Sequence, residues 1–383
     1  MRCPFSEPEL AVLLDRPVRQ LLGAADRRKY AGRRLVVTGA GGSVGSELSR
    51  QLADCAPAGL TLVDHSELHL FDIARELAER APGVRVEAVL ADVCQPGQMQ
   101  RTIALAAPDV VFHAAAYKHV SMMERDVCAA VAANVLGTAN VVAASREAGA
   151  RFVLISSDKA AAPRSVMGAT KRLAERVALA ASGRGARAIV VRFGNILGSS
   201  GSLLAIFRDR IRQGLPLALT DPEATRYLMT AGEAVSLVMK ADLLARRAET
   251  YWLDMGEPVA IGPLTERLLA MEEAAGFPRV PVRVVGLGPG EKRNEELTTQ
   301  GLRMCPTAHR RIWVARQRPG DEAAVGEVVG HLRRLVEQGD ATAALDLLTA
   351  AVPDYQASDE AWREAARRSA PVAGRRTGLS RTA

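Results

Sequence analysis

From about residue 34 to residue 193, short aliphatic runs alternate with longer stretches whose apolar residues recur at helical spacing. Arg34-Leu-Val-Val-Thr38 opens the pattern, and further runs at 60–64, 84–90, 109–113, 151–156 and 187–193 read as strands. Between them, 44–53, 67–79, 96–106, 127–148 and 166–182 read as helices. Such strands are too uniformly apolar to leave one face wet. The pattern therefore predicts an α/β fold: a Rossmann-type doubly wound parallel sheet covered on both sides. The regularity ends after residue 194, where loop-rich stretches at 194–201 and 216–222 flank a helix expected at 202–213. A smaller, irregular C-terminal region is expected there to cover a substrate. A late helical stretch spans 322–350, ahead of Pro353.

Composition adds boundaries. The 383 residues are 48% hydrophobic and 24% charged, ordinary for a globular chain, and aromatics supply only 4%. The net charge of +7 is partly local, with Arg367, Arg368, Arg375, Arg376 and Arg381 near the end. No aromatic–basic interleaving accompanies it, so nucleic acid is not an expected partner. Five cysteines (Cys3, Cys55, Cys94, Cys128, Cys305) are odd in number and lack C-x-x-C spacing. That argues for a reducing cytoplasm and against a zinc site. No apolar run is read as approaching the ~18–20 residues of a membrane span, and no signal peptide is read at the start. The expectation is a soluble cytoplasmic protein that binds no metal.

The first strand runs into Thr38-Gly39-Ala40-Gly41-Gly42-Ser43-Val44-Gly45. Gly39, Gly42 and Gly45 give G-x-x-G-x-x-G spacing in a strand–turn–helix context, the setting in which backbone N–H groups receive a dinucleotide diphosphate. Asp64 ends the second strand nineteen residues beyond Gly45, where a carboxylate grips the adenosine ribose. No arginine follows to hold a 2′-phosphate, which favours NAD over NADP. Asp92 and Val93 end the third strand and are candidates for the adenine edge. Ala114 and Ala115, after the fourth strand, leave room for a nicotinamide ring.

Seven blocks carry a more specific signal: Ala114-Ala-Ala-Tyr-Lys-His-Val120, Ser157-Asp-Lys-Ala160, Val166-Met-Gly-Ala-Thr-Lys171, Arg192-Phe-Gly-Asn-Ile-Leu-Gly198, Thr225-Arg-Tyr-Leu-Met-Thr230, Met255-Gly-Glu-Pro258 and Pro289-Gly-Glu-Lys292. In this order, from about Leu13 to Tyr355, they resemble the extended short-chain dehydrogenase/reductases. The closer match is to bacterial polysaccharide-biosynthesis UDP-N-acetylglucosamine 4,6-dehydratases, in the branch with Met-x-x-x-Lys in place of Tyr-x-x-x-Lys. The membrane-spanning half usual in those relatives is not read here, which suggests recruitment to secondary metabolism.

The resemblance implies the chemistry and its residues. NAD takes hydride from C4 of the sugar, Lys159 removes the C5 proton, Asp158 protonates the departing C6 hydroxyl, and hydride returns to C6. A lysine with a depressed pKa and an aspartic acid with a raised one would suit these roles. Ala162-Pro163 is the expected turn that brings both side chains to one sugar. Met167 stands where the phenol is lost. Lys171, through a water or a ribose hydroxyl, or Asp158 takes the C4 hydroxyl proton, with Ser157 holding that hydroxyl. Lys118 and His119 belong to the substrate side. Asn195 is expected near the diphosphate of a UDP-linked sugar, Arg226 as a phosphate clamp, and Glu291 in a closing loop. Gly288 replaces a relative's arginine, and Arg293 is expected to compensate. An epimerase acting at C4 or C5 of a nucleotide sugar or nucleoside, and a non-catalytic NAD-binding regulator, remain alternatives. A homo-oligomer is expected, with helix 127–148 contributing.

The expected organisation is a lead-in over 1–30 and an NAD-binding domain over 31–193, to which 225–260 returns. A mainly substrate-binding region follows over 194–320, then C-terminal helices over 321–355 and a basic, disordered tail over 356–383.

Overall fold

Six parallel strands form where the aliphatic runs place them: β1 (Arg34–Thr38), β2 (Gly59–Asp64), β3 (Val86–Leu90), β4 (Val110–His113), β5 (Arg151–Ile155) and β6 (Ala188–Arg192). They were located in a computed structural model that describes residues 3–19, 21–182, 188–296, 302–315 and 322–369. Three later strands, β7 (Thr250–Leu253), β8 (Met304–Pro306) and β9 (Ile312–Ala315), complete a nine-stranded sheet ordered β8-β9-β7-β6-β5-β4-β1-β2-β3. Val36 of β1 pairs with Thr61 on one side and Val111 on the other. Strand order reverses at β1, and such a reversal opens a crevice at the carboxyl ends of the strands.

β7 runs parallel to β6, whereas β9 runs antiparallel to β7, with Tyr251 opposite Val314. Thr250–Leu253 lies in the 225–260 stretch expected to return to the sheet domain, and Met304–Pro306 and Ile312–Ala315 add two more strands from the region assigned mainly to substrate. Thr250–Leu253 is buried throughout, and a strand with no wet face adds to a covered sheet rather than to a surface lobe.

Apolar layers cover both faces. One holds Leu173 and Val177 of helix Val166–Ala180 with Val142; the other holds Leu48 and Leu52 of helix Ser43–Ala53 with Val238. A third cluster joins Phe5 and Leu13 to Leu204, Phe207, Leu264 and Leu268. The first residues are thus more than a lead-in: helix Glu7–Leu14 buries Leu10, Leu13 and Leu14 against the smaller lobe.

The C-terminal helices are Glu322–Gln338 and Ala341–Ala351, broken at Gly339, whose φ of +72° ends the first. Two further expectations change. Part of the tail expected to be disordered is helix Asp359–Ser369, which buries Ala361 and Ala365. Ser358 anchors it, donating to Glu124 at 2.6 Å while accepting from the Ala361 amide at 3.1 Å. Residues 370–383 of that tail lie outside the described residues. Finally, Val127–Glu147 is long and apolar enough by length and composition to cross a membrane, against the reading that no such run exists. Most of it is buried inside the fold, as a core helix would be.

Candidate active site

A cavity of about 1180 Å³ opens at the carboxyl ends of β1, β4, β5 and β6. Its walls come from the glycine loop, the segment after β4, the Ser156–Lys159 turn, helix Val166–Ala180, residues 193–204 and the Gly290–Glu295 loop.

β1 runs into Gly39 at φ +67°, where a Cβ would lie 2.6 Å from the Ala115 backbone nitrogen. At Gly45 a Cβ would meet the Gly39 carbonyl oxygen at 1.9 Å, so the loop lies flat on the helix it opens. Gly42 is the N-cap of that helix and supplies no side-chain cap, so first-turn N–H groups face the cavity with Ser43, Val44 and Gly45. This fits a dinucleotide diphosphate. Asp64 anchors the loop, accepting from the Gly41 amide and from the Ser66 amide, both at 2.9 Å. Asp92 accepts from the Cys94 amide at 2.9 Å, and Val93 packs under Gly137. Asp64, Asp92 and Val93 stand outside the cavity lining, Ala115 backs the loop, and Ala114 lines it.

Asn134, in a π-helical turn spanning Val131–Leu136, shapes the segment after β4. Its side chain accepts from the Tyr117 amide at 2.8 Å and donates to the Tyr117 carbonyl at 3.1 Å. His113 lies beneath, held between Thr38 and Thr138, and burial pushes its pKa down to about 3. It is a neutral structural imidazole.

At the end of β5, Ser157 caps a single 3₁₀ turn, Asp158–Ala160. That turn, rather than Ala162-Pro163, brings the two expected catalytic side chains together. A tight turn puts successive residues on one side, where an extended strand would separate them. Lys159 Nζ lies 3.1 Å from Asp158 Oδ1 and 3.1 Å from Glu295 Oε1, and it donates to Asn195 Oδ1 at 2.9 Å. Burial works to lower the Lys159 pKa, but the two carboxylates outweigh it and hold the pKa above the ordinary lysine range. The expectation of a depressed Lys159 is therefore corrected: its contacts are anions, not cations. Asp158 is fully buried, accepts from the Ser157 hydroxyl at 2.9 Å, and leaves Oδ2 unpartnered.

Two cavity lysines are depressed instead: burial lowers Lys118, and it lowers Lys171 far enough to matter near neutral pH. Lys171 Nζ donates to the Ile155 carbonyl at 2.6 Å, and burial, opposed in part by Glu175, brings its pKa down to about 8. Met167 is buried one helical turn earlier and lines the same wall. Behind the wall, Ser156 donates to Glu175 at 2.5 Å and Arg192 Nε donates to it at 2.6 Å. The Arg192 guanidinium also lies 4.7 Å from the ring centre of Trp252.

The substrate side differs more from expectation. Lys118 and His119 do line the cavity. Lys118 donates to the Ser200 carbonyl at 2.7 Å, and His119 packs so close to Gly201 that a Cβ there would lie 2.7 Å from its ring. Asn195 lines it too, and its amide oxygen accepts from Lys159. Arg226 donates to the carbonyls of Lys292 at 2.8 Å and Arg293 at 2.9 Å, so its fork tethers the closing loop. Glu291 accepts from the Gly288 amide at 3.1 Å within that loop. Arg293 does not replace the missing arginine at Gly288: it points to Asp221 at 3.0 Å and to Glu223, outside the cavity lining. Lys292 is the loop's cavity-lining cation.

Glu295 and Arg368 are lining residues that the sequence did not assign to the site. Glu295 meets Lys159 only because the loop folds back over β5, and Arg368 reaches the rim from the helix expected to be disordered. Among the described residues no group of three or more His, Cys, Asp or Glu side chains is placed to hold a metal ion.

The family model described as polysaccharide biosynthesis protein matches residues 35–317. Over 298 residues the chain is 40% identical to the capsular polysaccharide biosynthesis protein CapD of Staphylococcus aureus, covering 76% of this chain and 49% of that protein. The chain spans about half the length of the curated relatives it matches. Among solved structures, Pen from Bacillus thuringiensis aligns with a TM-score of 0.68 at 27% identity, over 76% of this chain and 92% of that one. DesIV, a dTDP-glucose 4,6-dehydratase from Streptomyces venezuelae solved with NAD, aligns with a TM-score of 0.60 at 24% identity, over 70% of this chain and 88% of its own. At that identity the likeness is one of fold, here the extended short-chain dehydrogenase/reductase fold.

Proposed function

The chain belongs to the polysaccharide biosynthesis protein family, and we propose that it is an NAD-dependent nucleotide-sugar 4,6-dehydratase acting on UDP-N-acetylglucosamine or a related nucleotide-linked hexose. One observation carries the reading. Asp158 and Lys159 lie 3.1 Å apart beside a cavity that also takes in the glycine loop and Lys171. Elimination needs an acid and a base on one sugar, and this pair supplies both.

The glycine loop, with Gly39, Gly42, Ser43, Val44 and Gly45, would hold the diphosphate of NAD. Asp64 would hold its adenosine ribose, Asp92 and Val93 its adenine, and Ala114, Ala115 and Lys171 its nicotinamide half. When bound, NAD supplies hydride acceptance from sugar C4 and hydride return to C6.

The remaining work falls to side chains. Lys171, whose pKa of about 8 leaves part of it neutral near pH 7, takes up the C4 hydroxyl proton in place of the phenol lost at Met167. Ser157 holds that hydroxyl. Lys159 rests as an ammonium and Asp158 as a carboxylate. Transfer of one proton from Nζ to Oδ1 converts them to an amine and a carboxylic acid. The amine then takes the C5 proton, the C6–O bond breaks, and Asp158 protonates the departing hydroxyl to water. Both groups are then back at their resting charges. When hydride returns to C6, Lys159 gives a proton back to C5, and the proton that Lys171 took from the C4 hydroxyl replaces it by exchange with solvent, so the turnover is proton-neutral. Lys118, His119, Asn195, Arg226, Glu291 and Lys292 surround the nucleotide sugar.

The test is mass spectrometry of the protein incubated with UDP-N-acetylglucosamine and NAD+. A product lighter by one water is expected. Unchanged mass with deuterium entering at C5 from heavy water would replace this reading with an epimerase.

A further inference from the structure

Glu295 is a cavity residue that the mechanism above leaves unused. It is 8% exposed, lines the cavity, and sets Oε1 3.1 Å from Lys159 Nζ. Its other oxygen, Oε2, is buried without a partner. A carboxylate desolvated to this degree is costly unless a cation compensates it, and the ammonium of Lys159 is that cation.

We propose that Glu295 is a positioning residue for the dehydration, the second carboxylate that keeps the working proton on the Asp158–Lys159 pair. The inference rests on the reading of Lys159 as the C5 base. The proposed cycle needs one proton shared between Asp158 and Lys159: with none the acid is lost, and with two the base is lost. Burial alone drives a proton off a lysine. Asp158 is one counter-charge, and Glu295 is the other, brought over the pair from a distant loop.

The charged groups of neighbouring elements are otherwise occupied. Lys171 is turned to the Ile155 carbonyl, and Glu175 pairs with Arg192 and Arg172 behind Ser156. Lys292, on the same loop as Glu295, pairs with Glu296 at 3.3 Å. Glu291 is engaged with the Gly288 amide, and Arg226 with loop carbonyls.

Removing the negative charge of Glu295 lowers the proton affinity of both partners, and most that of Lys159, which it touches. The pH profile of kcat/KM for UDP-N-acetylglucosamine with NAD+ reads this directly. Glu295→Gln is expected to move the alkaline limb to lower pH by about one to three units, while the acidic limb, which Lys171 sets, holds its place. Where Glu295→Gln does not fold, Glu295→Asp keeps the charge but draws it back by one methylene, and a smaller shift in the same direction is expected.

An alkaline limb that stays in place in the folded variant overturns the inference. A parallel assay of Lys159→Ala follows deuterium entry at C5 and separates the two claims. Retained C5 exchange there sinks the reading of Lys159 as base, whatever Glu295 does. Lost exchange with an unmoved limb in the Glu295 variant sinks the Glu295 inference alone.

Discussion

Lys171 reaches back from helix Val166–Ala180 to the end of β5, donating from Nζ to the carbonyl oxygen of Ile155 at 2.6 Å. One hydrogen bond and near-complete burial leave its ammonium poorly solvated, which is why its pKa falls to about 8. A lysine whose folded pKa lies below its unfolded value binds its proton less well in the folded state. The resulting penalty is full below about pH 8 and is relieved as pH rises from there through the unfolded lysine pKa, ~10.4. Lys171→Met removes the penalty. Thermal melts should show the variant gaining on the native protein by a constant margin below that pH, the margin shrinking above it. The same variant should lose about 100-fold or more in turnover.

Asp158→Asn keeps the shape of the turn but removes the group that becomes the acid. Water loss should fall by about 10²–10⁴-fold. Reduced nicotinamide should still form on mixing with substrate, because C4 oxidation precedes the elimination. Rapid absorbance and product mass, followed together, separate the two steps. Wild-type water release from the variant would remove Asp158 from the mechanism.

Met167 lies in the wall where a phenol is expected, yet a thioether neither gives nor takes a proton at neutral pH. Its contribution is volume. Met167→Leu conserves that volume and should cost less than about 1.5 kcal/mol of stability, with turnover near the native value. A loss of about 100-fold in kcat at unchanged KM would assign the sulfur a chemical role and contradict this.

Glu175 and Arg192 form a fully buried pair, their side chains 1% and 0% exposed. Burial raises the carboxyl's proton affinity, but Arg192 at contact more than offsets this and holds it below the ordinary range. Glu175→Gln leaves the guanidinium buried with a weaker partner and should cost about 3–5 kcal/mol, read as a lowered urea midpoint. Adding Arg192→Met should recover much of that loss.

Most of the sheet domain was legible along the chain. The six aliphatic runs became β1–β6 with ends shifted by at most two residues, except that residue 187 of the last run lies outside the described residues. Glycine spacing located the flat loop, because steric demand at Gly39 and Gly45 is a local property of the backbone. What escaped were matters of context. Met304–Pro306 and Ile312–Ala315 are short runs that join the sheet only through β7, and helix Asp359–Ser369 is ordered by burying two alanines and by the Ser358–Glu124 bond.

The site divides the same way. The order of residues by itself determined which groups are present: a glycine loop, an Asp–Lys pair, a lysine without its tyrosine. These follow from covalent neighbours and local turn chemistry. Only the tertiary structure decided their charge states. The Lys159 pKa is held above the ordinary range by Asp158 beside it and by Glu295 from a distant loop, and Lys171 is depressed by burial against the end of β5. Proton affinity depends on burial and on charges within a few ångströms, and neither can be read from neighbours in sequence.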